Sequence, residues 1–153
     1  MTPALVNQSE RRRVAGIATR TTNADEMESS RARIPGLWGE FASHNWAERL
    51  GQSGAFGPTM AVYSAYESDV SGSYQILIGR EVARSAPVAG PAVDIAPGKY
   101  LVFTFSGPLP GVVIEGWRAV WAFFERSDAP KRAYSADFEA YVEPERVEIW
   151  IAV

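Results

Sequence analysis

The chain contains no cysteine and only one histidine among its 153 residues. Without cysteine there is no disulfide framework and no thiolate metal site. The single histidine, His44, excludes a histidine-rich metal site, and we expect it to lie on a helix surface. The sequence also lacks a P-loop, a dinucleotide fingerprint and a G-x-S-x-G motif. It therefore predicts neither a metal centre nor a cofactor.

Long hydrophobic runs and basic clusters are missing as well. No stretch approaches the roughly 18 apolar residues of a membrane span, and the segment before Glu10 is too short and polar for a signal peptide. We therefore expect a cytoplasmic protein with no membrane contact. The net charge is −3 and the one basic run is Arg11–Arg13. Direct nucleic-acid binding is not expected, because it normally needs a clustered basic face.

The residues that are present indicate a globular protein. Hydrophobic residues make up 46% of the chain and charged residues 22%, which is typical of such proteins. The length predicts a single domain over residues 1–153. Five Trp and six Tyr are present. Most should be buried in the core, but enough remain to line a pocket.

The second half of the chain repeats the pattern of the first. Residues 34–41 (IPGLWGEF) align with residues 114–121 (IEGWRAVW), and an aromatic strand and then a β-branched strand follow each stretch. This predicts two β-α-β-β units, roughly residues 12–83 and 98–153, that share one core because neither sheet is large enough alone. The predicted fold is α+β: a pseudo-twofold antiparallel sheet with two helices on one side and a concave ligand groove on the other.

Periodicity places the individual elements. Apolar residues at i, i+3, i+4 and i+7 from Ile34 to Phe41 predict a first helix, and a similar face from Val113 to Phe124 predicts a second. Alternation and β-branched content predict six strands, over residues 12–21, 59–67, 74–82, 99–105, 137–142 and 146–153.

The candidate site is built around Glu139, which stands where the first half has Ser64. Strand alternation puts Glu139 and Tyr141 on one face. On the last strand the aliphatic residues should meet the helices, which leaves Trp150 on the opposite face. Glu139 and Tyr141 join Trp150 there if Phe138 faces the helices.

A carboxylate among aromatic rings suggests a ligand. The repeat adds Tyr66 from the first half, and Trp38 and Phe41 either belong to the core or roof the groove. A buried carboxylate is costly to ionise without compensation, and aromatic faces attract cations, so the group would suit lipophilic organic cations. Alternatively, Glu139 pairs with an arginine at a solvated sheet edge. The candidate ligand-binding residues are Glu139, Tyr141, Trp150, Tyr66, Phe41 and Trp38.

The sequence resembles the gyrase-inhibitor-like, or effector-binding, domain family. This domain is found in AraC-type and MerR-type multidrug regulators and in stand-alone proteins, some carried on integron gene cassettes. The resemblance covers nearly the whole chain, and the segments that carry it are Val14–Ile17, Ile34–Trp38, Tyr74–Gly79, Pro97–Tyr100, Trp117 and Asp137–Tyr141.

The resemblance implies a stand-alone module that binds lipophilic, often cationic, small molecules. It implies that Glu139 meets the positive charge and that Trp150 and Tyr66 occupy aromatic pocket positions. No helix-turn-helix precedes the first strand, so we expect no operator binding by the chain itself. Two alternatives stay open: a small-molecule hydrolase with Glu139 as general base, and a protein-interaction module of the gyrase-inhibitor type. Homodimerisation and a regulator partner also stay open.

Overall fold

A computed structural model describes residues 2–153 and shows eight strands and four helices in that part of the chain. The strands are β1 (Ala4–Gln8), β2 (Arg12–Thr22), β3 (Phe56–Ser64), β4 (Ser73–Val82), β5 (Ala92–Ile95), β6 (Gly98–Ser106), β7 (Ala136–Glu143) and β8 (Arg146–Ala152). The helices are α1 (Asn23–Glu26), α2 (Ile34–Ser43), α3 (Trp46–Gln52) and α4 (Gly111–Phe124). No helix within residues 2–153 is long and apolar enough to cross a bilayer.

The strands form one antiparallel sheet in the order β1-β6-β8-β7-β3-β4-β2-β5. The predicted α+β fold with duplicated β-α-β-β units is confirmed: β2-α2-β3-β4 is the first unit and β6-α4-β7-β8 the second. Strands β3 and β7 pair at the centre, where the two units meet. The central strands, including the one that carries Glu139, are therefore paired with a neighbouring strand along both edges.

The sequence did not predict the two outer strands or two of the helices. β1 precedes the first unit yet pairs with β6 of the second, and β5 precedes the second unit yet pairs with β2 of the first. Helices α1 and α3 add short segments on either side of α2. Each outer strand thus pairs with the unit other than the one that it directly precedes in the chain.

Local chemistry explains the start of α2 and the close approach of two strands. The Glu26 carboxylate accepts hydrogen bonds from the backbone N–H groups of Arg33 and Ile34, which satisfies donors that a helix start leaves free. Gly16 and Gly79 face each other on β2 and β4. A Cβ at Gly16 would lie 1.9 Å from a backbone carbonyl oxygen, so only glycine allows these strands to approach so closely.

The two faces of the sheet have different partners. One face packs against the helices, through Leu37 and Phe41 of α2 and Val120 of α4. The other face is a cluster of strand residues alone, in which Arg12 of β2 lies 5.2 Å above the ring of Phe138 on β7. Because β2 and β7 are not neighbours in the sheet, the sheet must curl toward this second face.

This arrangement corrects the predicted facing of β7. Phe138 packs in the strand-only cluster and not against the helices. Its neighbour Glu139 therefore points to the helix-bearing face, opposite Ile149, which packs with α4. The carboxylate predicted for the groove thus lies beneath the helices.

Candidate functional site

Glu139 is buried in the middle of the sheet. Its side chain is 1% exposed. In the sheet, Glu139 pairs with Ala61 of β3 on one side and with Ile149 of β8 on the other. The face on which it lies is covered by α2 from the first unit and α4 from the second. The carboxylate therefore sits where the two units meet.

Three neutral groups donate hydrogen bonds to the Glu139 carboxylate. The Tyr63 hydroxyl and the Trp117 indole N–H both donate to Oε2, each at 2.6 Å. The Tyr141 hydroxyl donates to Oε1 at 2.5 Å. The donors come from β3, α4 and β7, so each of three elements fixes one donor on the same carboxylate.

The partners of the Glu139 carboxylate are all neutral groups among residues 2–153. Within residues 2–153, no lysine or arginine forms an ion pair with this carboxylate. Burial raises the pKa of Glu139 above its ordinary value, and the three hydrogen bonds only partly offset that effect. Burial, followed by the charge of Glu139, also raises the pKa of Tyr63 and of Tyr141. Both tyrosines therefore stay protonated and keep donating.

Aromatic rings surround the carboxylate. Trp38 of α2 packs edge-on against Tyr141 with ring centroids 5.2 Å apart. Trp117 packs edge-on against Tyr63 at 5.3 Å and lies 6.2 Å from Trp121. Trp121 is 37% exposed, so this aromatic wall extends from the buried carboxylate to the surface of α4.

A depression of about 500 Å³ lies beside this wall. Tyr141 is one of its lining residues and connects it to Glu139. The remaining lining residues belong to the start of β3, the loop before α4, and the end of β7 with the turn that follows it: Pro58, Thr59, Leu109, Val142, Glu143 and Pro144.

A second buried carboxylate, Asp137, differs from Glu139 in having its own cation. It is 0% exposed and forms an ion pair with Arg132 at 2.7 Å. It also accepts hydrogen bonds from the Tyr66 hydroxyl and the Ala152 backbone N–H. The guanidinium of Arg132 lies 4.4 Å from the ring centroid of Tyr134. Burial acts to lower the pKa of Arg132, but Asp137 raises it overall.

The structure brings together only part of the predicted set. Glu139, Tyr141 and Trp38 form one group, and Phe41 lies in the core 6.1 Å from Trp38. The arginine pairing considered as an alternative for Glu139 is absent within residues 2–153. The sequence suggested that Glu139 and Trp150 lie on the same face of the sheet, and this prediction is wrong.

Two predicted residues lie elsewhere, and two contacts were missed. Trp150 stacks on Phe138 at 5.0 Å on the opposite face of the sheet, and Tyr66 donates to Asp137. The donors Tyr63 and Trp117 were not predicted. Alternation along β3 could have identified Tyr63, because it places Tyr63 on the face opposite the strand-only cluster. Trp117 has helical spacing, which indicates a core residue as readily as a site residue.

Comparison with known proteins assigns the family. A family model described as Cass2, integron-associated effector binding protein, matches residues 6–153. The chain belongs to this family. It is 32% identical over 149 residues to the putative transcriptional regulator protein YobU of Bacillus subtilis (strain 168), and the match covers 93% of this chain and 91% of YobU.

Solved structures of similar fold include one integron product. The integron cassette protein VCH_CASS2 from the mobile metagenome of Vibrio cholerae is 31% identical, with a TM-score of 0.81 over 99% of this chain and 95% of its own. SAV2435, solved bound to tetraphenylphosphonium, is 21% identical, with a TM-score of 0.80 over 99% of this chain and 93% of its own. A putative transcription regulation protein from Staphylococcus aureus MU50 is 20% identical, with a TM-score of 0.73 over 99% and 97%. The last two show a shared fold.

Proposed function

We propose that this chain binds lipophilic organic cations between α2 and α4, with Glu139 as the counter-ion. The observation that carries the proposal is a fully buried carboxylate held by three neutral donors, with no cationic partner in residues 2–153. A buried charge that lacks compensation is costly. An incoming cation would supply that compensation, so its binding at this site would be favourable.

The surrounding rings define which cations suit the site. Trp38, Trp117 and Tyr141 present flat apolar surfaces, and each aromatic face attracts a cation by roughly 0.5–2 kcal/mol. Large aromatic surfaces tolerate many shapes, so a bulky aryl cation fits better than a small hydrated ion. The structure of SAV2435, which shares the fold and was solved with tetraphenylphosphonium, supports this ligand class.

Access to the carboxylate requires a local movement. Glu139 is 1% exposed, whereas Trp38 and Tyr141 are both only partly buried. Separation of these two rings would open a path from the surface depression that Tyr141 lines. The proposed binding residues are therefore Glu139, Tyr141, Trp38, Tyr63 and Trp117.

The test is a calorimetric titration with methyltriphenylphosphonium and with triphenylphosphine oxide, its neutral analogue of similar shape. We expect the wild type to bind the phosphonium saturably and the oxide more weakly. Glu139→Gln should lose at least about tenfold in affinity for the phosphonium, or about 1.4 kcal/mol. The affinity for the oxide should change little, since it carries no net charge.

The matched control is Glu148→Gln. Glu148 lies on the neighbouring strand β8 and accepts a hydrogen bond from Trp150 on the opposite face. This variant removes one negative charge without touching the site, so it should bind the phosphonium like the wild type. Equal losses in both glutamine variants would indicate a general charge effect and would contradict the proposal, as would the absence of binding to the wild type.

A second candidate function is hydrolysis of an electrophilic small molecule. The observation in its favour is that burial raises the pKa of Glu139, as general bases require, while Tyr63 and Tyr141 supply hydroxyl groups beside it. The expected result is turnover that Glu139→Gln abolishes while Glu148→Gln retains it. Absence of turnover across a panel of epoxides and activated esters would refute this candidate.

A further inference from the structure

The hydrogen bonds of Glu139 restrict the kind of cation that can approach it. An ionised carboxylate has about four lone-pair positions. Tyr63 and Trp117 use both positions on Oε2, and Tyr141 uses one of the two on Oε1. Only one acceptor position on this carboxylate remains for a ligand.

The rings around the carboxylate offer few other acceptors. The Trp38 and Trp117 side chains have an indole N–H, which only donates, and the Trp117 N–H is already directed at Glu139. The hydroxyl hydrogens of Tyr63 and Tyr141 are likewise directed at this carboxylate. A ligand meets only their phenolic oxygens, which accept more weakly than water because a lone pair is delocalised into the ring. The other buried carboxylate within residues 2–153, Asp137, is paired with Arg132 and accepts from Tyr66. A ligand that brings several N–H groups would therefore meet mainly π faces and these two weakly accepting phenolic oxygens.

The consequence differs for two classes of monocation. A protonated primary amine carries three N–H donors that water satisfies in solution. At this site one could bond to Oε1. The others would exchange water for a phenolic oxygen or a π face, or would displace a tyrosine hydroxyl, which would itself become unpaired. A quaternary phosphonium or ammonium has no N–H, so it forfeits no hydrogen bond when it enters.

We infer that the site selects permanently charged cations without N–H groups over protonated amines of similar shape, because Tyr63, Trp117 and Tyr141 already occupy the carboxylate. The inference rests on the proposed function and names the ligand class of the same site. Selectivity here comes from donors within the protein that leave most of a cation's N–H groups with weaker acceptors than water provides.

The experiment compares methyltriphenylphosphonium with triphenylmethylammonium by calorimetric titration at neutral pH. These ions share three phenyl rings and one positive charge, and they differ in the three N–H groups. We expect the phosphonium to bind the wild type about tenfold or more tightly than the ammonium.

Tyr141→Phe tests the cause of this selectivity. The substitution keeps the ring and removes the one donor to Oε1, so the ammonium gains a carboxylate position in place of a weaker phenolic oxygen. The phosphonium gains nothing. The ratio of the two affinities should fall by about threefold or more. Tyr63→Phe frees a position on Oε2 and should act in the same direction, which provides a second variant if the first unfolds. Thermal unfolding curves would identify such a variant.

The outcomes separate this inference from the proposed function. If both cations bind the wild type equally and Glu139→Gln weakens both, the proposed function holds and the selectivity inference is overturned. An affinity ratio that Tyr141→Phe and Tyr63→Phe both leave unchanged overturns it as well. If neither cation binds the wild type, the proposed function fails and the inference falls with it.

Discussion

Replacing Glu139 with glutamine should stabilise the fold at neutral pH. Glutamine has the shape of glutamate, and its carbonyl oxygen can accept the hydrogen bonds that Tyr63 and Trp117 now donate to Oε2. Its amide nitrogen would face the Tyr141 hydroxyl, whose oxygen can accept. The substitution therefore removes a charge that has no ion-pair partner in the described part of the chain, and it keeps most of the hydrogen bonding.

The magnitude follows from two opposing contributions. A buried ion without a partner costs several kcal/mol even after relaxation, and a hydrogen bond to a charged group contributes about 1.5–3 kcal/mol. Burial has the larger effect, because the pKa of Glu139 is raised despite three hydrogen bonds. Since one pKa unit corresponds to about 1.4 kcal/mol, the gain in the free energy of unfolding from glutamine should match the size of the rise in the Glu139 pKa.

The pH dependence gives the sign of the effect. The folded-state pKa of Glu139 lies above its ordinary value of 4.5. The protonated carboxyl therefore contributes its full stability below pH 4.5, and this contribution is lost as the pH rises through the raised pKa. Below pH 4.5 the wild type and Glu139→Gln should have similar stability, and at neutral pH the variant should be the more stable of the two.

Urea unfolding of both proteins at acid and neutral pH measures this difference, and thermal unfolding should show a rise of about 2–4 °C for each kcal/mol. Glu148→Gln is the control, because that carboxylate is partly exposed and lies on the other face of the sheet. If Glu139→Gln is less stable than the wild type at neutral pH, the three hydrogen bonds outweigh the burial of the charge and the reasoning is refuted.

Three further outcomes test other parts of the structure. Asp137→Asn leaves the buried Arg132 without its ion-pair partner. It should lower the free energy of unfolding, measured with urea, by about 3–5 kcal/mol. A loss below about 1 kcal/mol would contradict a buried pair. Gly116→Ala places a Cβ 2.9 Å from the ring of Phe105, so α4 or this ring must shift, at a cost of about 1–3 kcal/mol. An unchanged melting temperature would argue against this packing. Trp150→Leu alters the face opposite Glu139 and should leave the affinity for methyltriphenylphosphonium within about twofold of the wild type; a larger loss in the titration would place Trp150 at the site.

The sequence predicted the paired units because their signals are local. The helical spacing from Ile34 to Phe41 and the alternation along β4 and β8 arise within single elements, and these elements lie close to their expected positions. The outer strands β1 and β5 gave no such signal, because each is short and its partner lies in the other unit. Strands whose order depends on distant pairing do not show in local periodicity.

The site was predicted less completely for a different reason. Residues 136–140 are all buried, so alternation on β7 contains no solvent-facing side from which to orient Glu139 and Phe138. A shift of one residue in the assumed facing moves every side chain of the strand to the opposite face of the sheet. This exchange led to Trp150 and Tyr66 in place of Tyr63 and Trp117. Glu139 itself was identifiable, because a carboxylate in an apolar strand is unusual under either facing.

The crossed outer strands also determine the order in which the chain can fold during synthesis. β1 leaves the ribosome first, but it must wait for β6, since Gln8 pairs with Gly98. At about 5–20 residues per second this delay is on the order of 10 s. β8 emerges last and inserts between β6 and β7. The central pair of β3 and β7 cannot form before β7 has been synthesised. Tyr63 and Trp117 therefore wait for Glu139, and a chain cut before β7 would lack the whole site.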